Sequence, residues 1–243
     1  MNNDITGKSP GAITKTPIVL CRPEGAAHLL SEGRRLVCLV RHGQTDWNTV
    51  RRLQGREAVP LNEKGRSQSV ECGRLLCKAR DEGFEIAGVF TSPLGRAIET
   101  AKSITDELGV EEATVEPLLI ERDYGELSGL TMEERKKVYR RGNLDPEAES
   151  IPDASARMKE ALVKLISSDG NGAVVAVTHG GVINALFSCV TLGRIGTGKN
   201  FSENCGISLV AVGKDVTIPL AYGLTDGVFL EYIKKFVSSS GRC

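Results

Sequence analysis

The sequence predicts an α/β fold in which a mostly parallel sheet carries helices on both faces, forming a three-layer sandwich. Two observations support this. Short apolar runs recur at residues 36–40 (LVCLV), 88–92 (GVFTS) and 173–178 (AVVAVT), each with the length and composition of a strand covered on both sides. Stretches of helical character separate them, and strands alternating with helices are the pattern of a parallel sheet.

Residues 1–15 are polar, rich in Gly, Asn, Thr and Lys, and without periodicity, so they read as disorder or a tail lying on the surface. Residues 16–35 allow a short strand-like patch and a small helix at GAAHLLSEG. The chain therefore divides into an amino-terminal extension over 1–35, partly disordered, and one folded domain over 36–243. After the first strand, Asn62 can cap a helix over 63–79. After the second, Pro93 can open a helix over 94–108. Asp153 can cap a third over 154–166, leading into the strand at 173–178. Residues 181–192 continue as a mostly apolar helix, and 206–212 with 216–220 read as a closing pair of strands.

The chain has 243 residues, with 31 Lys and Arg against 31 Asp and Glu. No global field exists to collect nucleic acid or an anionic membrane, so any basic site is local. Seven cysteines, an odd number without a CxxC pair, fit reduced thiols in a cytoplasm. No run of about eighteen apolar residues is present to span a membrane. The expected protein is soluble, cytoplasmic, and a monomer or homodimer.

In parallel sheets ligands bind beyond the carboxyl ends of the strands. The turns VRHGQTDWN and VTHGGVIN place His42 and His179, two of only three histidines, at the ends of strands far apart in sequence. Each histidine runs into glycine, which permits close backbone approach and leaves N–H groups free at the start of a helix. That pattern suits an anion. Arg41 adds a planar fork matched to two phosphate oxygens, and TSPLGRAIETA offers another, Arg96. GRIGTGKN at 193–200 nearly spells a phosphate loop, but it ends in Asn and follows a helix. No cysteine has an arginine six positions later, no DxD pair exists, and three dispersed histidines cannot build a binuclear metal cluster. No metal and no cofactor is expected.

RHGQTDWN, PLNEKG, SPLGRAIETA, ERDYGELSGL and VTHGGVI follow one another in an order that resembles the histidine phosphatase superfamily, in its phosphoglycerate-mutase-like branch. The resemblance covers residues 36–220 and implies a phosphoglycerate-mutase-like fold. It implies that His42 is the nucleophile and is phosphorylated during turnover. Arg41, Arg96 and His179 would hold the phosphoryl group, and Glu121 would be the general acid and base. The charge-rich ERDYGE alone does not choose Glu121 over Asp123 or Glu126. Asn48, Gln54, Gly55, Tyr124 and Gly180 complete the expected substrate-binding set. The chemistry suits these residue types: a neutral imidazole can attack phosphorus, neighbouring arginines favour that neutral form, and a cationic cage stabilises charge on the equatorial oxygens.

Within the branch, mutases carry ERHYG, a lysine and HGN where this chain has ERDYG, Met132 and HGG. The segment between Glu121 and His179 is short for a lid that excludes water. These departures favour hydrolysis of a small phosphorylated metabolite. Tyr139, Arg140, Arg141 and the following LDP resemble a mutase stretch and keep a cofactor-dependent mutase as the alternative, with a non-catalytic phospho-ligand module third. Ala58 stands where many relatives have Asp, which bears on the loop before PL rather than on the centre. Specificity would lie in 54–59, 122–124 and 132–145.

Overall fold

The computed structural model describes residues 14–15, 17–140 and 148–240. Most of the expected tail, residues 1–13, lies outside the described residues, as do Arg141, the LDP stretch and 141–145 of the specificity segment.

In chain order the elements are β1 (Thr14–Lys15), β2 (Ile18–Val19), α1 (Pro23–Ser31), β3 (Arg35–Arg41), α2 (Asp46–Thr49), α3 (Glu63–Asp81), β4 (Ile86–Thr91), α4 (Gly95–Leu108) and β5 (Thr114–Val115). Two 3-10 turns, Pro117–Leu119 and Gly125–Leu127, precede α5 (Met132–Arg140) and α6 (Ile151–Ile166). Then come β6 (Ala173–Thr178), α7 (Gly180–Val190), β7 (Asn200–Phe201), β8 (Ile207–Val212), β9 (Thr217–Leu224) and α8 (Asp226–Ser240).

Seven strands form one sheet in the order β2-β9-β8-β3-β6-β4-β5. The four strands from β3 to β5 run parallel, while β8 is antiparallel to β3, β9 to β8 and β2 to β9. The sheet is therefore mixed, with five of its seven strands pointing one way. Alternation along β3 explains the continuous apolar run. Leu36, Cys38 and Val40 pack with α1, α3, α4 and α8 on one face. Val37 and Leu39 pack with α6 and α7 on the other. Both faces are covered, so every residue of LVCLV is buried.

Asn62 caps α3 by accepting the Gly65 amide. The start of α6 differs from expectation: Ser150, not Asp153, is the cap, and its hydroxyl accepts the Asp153 amide. Pro152 fits the first turn, where a missing N–H costs nothing. The extension also contributes to the body, because β2 pairs with β9 and Ala26 of α1 is fully buried in the core. The carboxyl-terminal α8 was not anticipated, although Phe229, Tyr232, Ile233 and Phe236 repeat at helical spacing and are all buried.

Candidate active site

Strand register builds the site. Arg41 pairs with Thr178 and Thr91 with Val177, so β3, β6 and β4 end side by side. The next residues, His42, His179 and Ser92, are thereby brought to one edge. The His42 amide donates to the Thr178 carbonyl at 3.0 Å and the Ser92 amide to the Val177 carbonyl at 2.9 Å. Arg96 enters from the first turn of α4, directly after β4.

The four residues are buried to an extent unusual for their types: His42 is 2% exposed, His179 0%, Arg96 1% and Arg41 5%. The imidazole centroids of His42 and His179 lie 5.1 Å apart. His42 Nδ1 sits 2.7 Å from the Gly43 carbonyl, which only accepts, so Nδ1 carries the proton. Nε2 accepts from Arg96 Nε at 3.3 Å. Both partners select the same tautomer, with the lone pair on Nε2. Burial, then the charges of Arg96 and Arg41, hold His42 well below its ordinary value, outweighing the Gly43 hydrogen bond.

His179 Nε2 lies 2.6 Å from the Ser92 hydroxyl, which itself accepts the Leu94 amide. The hydroxyl proton is free to point at Nε2, which leaves the ring proton on Nδ1. That Nδ1 is buried without a partner, as is Arg41 Nε. Buried orphan donors are costly, and a catalytic or binding role is one of the explanations for keeping them. His179 Nδ1 and Arg41 Nε are two of the six buried side-chain polar atoms without a partner among the described residues; another is the acceptor Oε1 of Gln54, next to Gly55 in the chain. Arg41 is held by Nη1 on the Ser202 carbonyl at 2.7 Å and by the Phe201 ring, 4.5 Å from its guanidinium carbon. Arg96 meets His42 side-on, because Nη1 and Nη2 hold the Glu57 and Gly55 carbonyls, each at 2.7 Å. Burial pulls Arg96 down to about 10, opposed by Glu121 and reinforced by Arg41, and it stays cationic near neutral pH.

Glu121 is buried and faces the start of α7. Its Oε1 accepts the Val182 and Arg122 amides, both at 2.8 Å, and Oε2 accepts the Gly181 amide at 2.9 Å. Five of the amides expected to be free after the histidines, those of Gly43, Gln44, Thr45, Gly181 and Val182, are thus engaged. Gly43 N donates to Thr100 Oγ1, Gln44 N to Gln68 Oε1 and Thr45 N to Asn48 Oδ1. Unpartnered donors at the centre come instead from the side chains of Arg41 and His179.

The outer residues are placed as follows. Asn48 caps α2 with Thr45, and its Oδ1 also accepts from Asn204, which bonds the His42 carbonyl. Gly55 has a φ of +52° and a carbonyl on Arg96, which a side chain at this position would disturb. A Cβ on Gly180 would stand 3.2 Å from Arg41 Nε, and one on Gly181 would stand 1.9 Å from the Tyr124 hydroxyl. Sequence reasoning missed Ser92 and Asn204. Ser92 lies inside the quoted SPLGRA, whereas Asn204 carried no signal.

Both buried histidines have lowered pKa values; for His179 burial acts first, then Arg96, His42, Arg41 and Arg157. Below their ordinary value of 6.5 the unfolded chain binds protons that the folded chain refuses. The stability contributed is therefore complete above pH 6.5 and is lost as pH falls through the lowered folded values. Each histidine should add about 1.4 kcal/mol per pH unit to this slope. Urea unfolding in phosphate-free buffer between pH 7 and 5 should show the slope, roughly halved in His42→Asn. A flat profile would contradict the burial assigned to the pair.

A family model described as the histidine phosphatase superfamily (branch 1) matches residues 37–223, which is β3 to β9. The chain is 37% identical over 157 residues to an uncharacterized phosphatase, PhoE, of Bacillus subtilis, covering 65% of this chain and 78% of that one. It is 41% identical over 167 residues to a 2,3-bisphosphoglycerate-dependent phosphoglycerate mutase of Beijerinckia indica, covering 63% and 79%. A mycobacterial glucosyl-3-phosphoglycerate phosphatase complexed with VO3 superposes with a TM-score of 0.66 at 24% identity, covering 79% of this chain and all of that one.

Proposed function

The chain belongs to the histidine phosphatase superfamily (branch 1), and from that premise we propose that it is a metal-independent phosphomonoester hydrolase that works through a phosphohistidine at His42. The observation that carries this reading is the tautomer: a buried, neutral His42 whose Nε2 lone pair faces Arg96, beside unpartnered donors on Arg41 and His179.

In the first step His42 Nε2 attacks phosphorus as the ester oxygen departs in line. Charge spreads over the equatorial oxygens, where Arg41, Arg96 and His179 Nδ1–H stabilise it. As Nε2 is phosphorylated the ring gains positive charge, which the Gly43 carbonyl on Nδ1–H disperses. Glu121 gives a proton to the leaving alkoxide and then takes one from the water that attacks phosphohistidine. Its Oε1 already accepts two amides, so the second lone pair of Oε2 is the position for that proton. Two arginines and a histidine N–H supply the charge stabilisation a metal gives elsewhere, so chelators should leave the rate unchanged. The substrate is a small phosphorylated metabolite, and the enzyme is cytoplasmic, a monomer or homodimer, without nucleic-acid partners. Residues 36–243 are its catalytic domain. Among the described residues no helix is long and apolar enough to cross a membrane.

The similarity to the Beijerinckia mutase favours a second reading, phosphoryl return to a substrate hydroxyl. Position 181 argues against it. The mutase-type asparagine would place its Cβ 1.9 Å from the Tyr124 hydroxyl and 2.7 Å from Glu121 Oε1, so both side-chain ends would have to move from the positions they hold around Gly181. Incubation with 3-phosphoglycerate and a trace of 2,3-bisphosphoglycerate separates the readings. Phosphate release should exceed 2-phosphoglycerate formation. Isomerisation outrunning release by orders of magnitude would make the chain a mutase.

A further inference from the structure

We infer that Arg157 and Glu149 are positioning residues for Glu121, fixing the backbone that carries its carboxylate against the start of α7. This rests on the phosphohydrolase reading and adds to it a pair of residues outside the phosphoryl site.

Arg157 projects from α6 and is largely buried. Its Nη1 donates to the carbonyls of Leu118 at 2.6 Å and Ile120 at 2.8 Å, and Nη2 reaches that of Glu121 at 3.5 Å. The same guanidinium grips Glu149 bidentately, Nε to Oε1 at 2.7 Å and Nη2 to Oε2 at 2.8 Å. Glu149 then closes the other side of the segment. Its Oε2 accepts the Asp123 amide at 3.1 Å, its carbonyl accepts Arg122 Nε at 2.6 Å, and its amide donates to the Asp123 carbonyl at 3.1 Å. Arg56 adds a bond from Nε to the Glu121 carbonyl at 3.2 Å and ion pairs with Asp123 and Glu149.

The backbone from 118 to 123 is thus held at four carbonyls and one amide, while the Glu121 side chain is held by amides of α7. Both anchors share one frame. Met158, Ala161, Leu162 and Leu165 of α6 pack in the same core cluster as Val182, Ile183, Leu186 and Phe187 of α7. Burial would raise the Glu149 carboxyl, but the hydrogen bond and charge of Arg157, the Asp123 amide and Arg56 outweigh it and hold it low, so it stays anionic near neutral pH. A flexible loop could not hold a proton donor to this tolerance, and a shift of about 1 Å in a catalytic group can cost about 100-fold.

A merely structural ion pair would affect all substrates alike. Loss of the acid's alignment affects only those whose leaving group needs a proton. The test compares β-glycerol phosphate with p-nitrophenyl phosphate in Arg157→Gln, Arg157→Lys and Glu149→Gln, using inhibition by vanadate as the readout of the phosphoryl site. In Arg157→Gln and Glu149→Gln, kcat/KM for the alkyl ester should fall about 10- to 100-fold. The aryl ester and vanadate inhibition should change less than about 3-fold. Arg157→Lys should restore little, because an ammonium cannot replace the guanidinium fork. Combining Glu149→Gln with Glu121→Gln should add almost nothing to the loss from Glu121→Gln alone. Equal losses on both esters, weaker vanadate inhibition in parallel, or additive losses would overturn the inference. If Arg157→Gln does not fold, Glu149→Gln decides alone. Failure of the phosphohydrolase reading is visible earlier, in a wild type that releases no phosphate or in a Glu121→Gln that loses both esters equally.

Discussion

His42→Ala should lower turnover by about four orders of magnitude or more, the scale set by removing a covalent nucleophile. No neighbouring group can take over. His179 has Nε2 committed to Ser92 and a proton on Nδ1, so it presents no lone pair to phosphorus. The fold should survive, because the strand-end bond from residue 42 to Thr178 uses the backbone amide. Arg41, Arg96 and His179 remain, so inorganic phosphate should still raise the Tm of the variant. Steady-state assays with p-nitrophenyl phosphate and thermal unfolding with phosphate check both halves. Turnover within about tenfold of wild type would remove His42 from the mechanism.

Replacing Arg96 should have the second largest effect, through three separate losses. Its charge is the largest, after burial, of the influences that keep His42 neutral. Its Nε faces the reacting nitrogen, and its two Nη atoms hold the carbonyls of Gly55 and Glu57. Arg96→Met should reduce kcat/KM about 10²- to 10³-fold or more, the cost of deleting one preorganised donor at developing charge. Without that cation His42 protonates more readily, so the acid limb of the kcat/KM profile should move to higher pH. Arg96→Lys keeps a charge but not the fork, so its acid limb should stay nearer wild type while its rate stays low. A pH–rate series on the three proteins is the check, and identical acid limbs would contradict the assigned electrostatics.

The parts of the fold that were legible in the sequence share a physical feature: their signal is local. LVCLV is apolar on both alternating faces, Asn62 stands where a cap must stand, and both histidines leave strands into glycine. Most of what was missing is non-local. A parallel sheet already implies that His42 and His179 reach one edge, whereas Ser92 joins them only through the register of β3, β6 and β4, which no local window contains. Glu121 is marked by the amides of residues sixty positions later, so its own charge-rich surroundings could not single it out. The clamp of Arg157 and Glu149 likewise reads as ordinary helix and loop charge until α6 is laid beside 118–123. Asp153 reads as the cap because it precedes an apolar run, whereas Ser150, three positions earlier, accepts the Asp153 amide. The free amides expected at the histidine turns rest on glycine and on a helix start, neither of which shows what side chains elsewhere will accept from them. The structure gives the amides of Gly43, Gln44, Thr45, Gly181 and Val182 acceptors on Thr100, Gln68, Asn48 and Glu121.

The account's central claim is that the phosphoryl group passes through Nε2 of His42 on its way to water. Rapid acid-free quenching of the enzyme with ³²P-labelled substrate, followed by alkaline digestion and separation of the phosphohistidine isomers, measures it most directly. The account predicts a base-stable, acid-labile label on Nε2 of His42, absent from His42→Ala and forming no more slowly than phosphate is released. A label on Nδ1 or on another residue, or phosphate release in pre-steady state without a labelled enzyme, would contradict it.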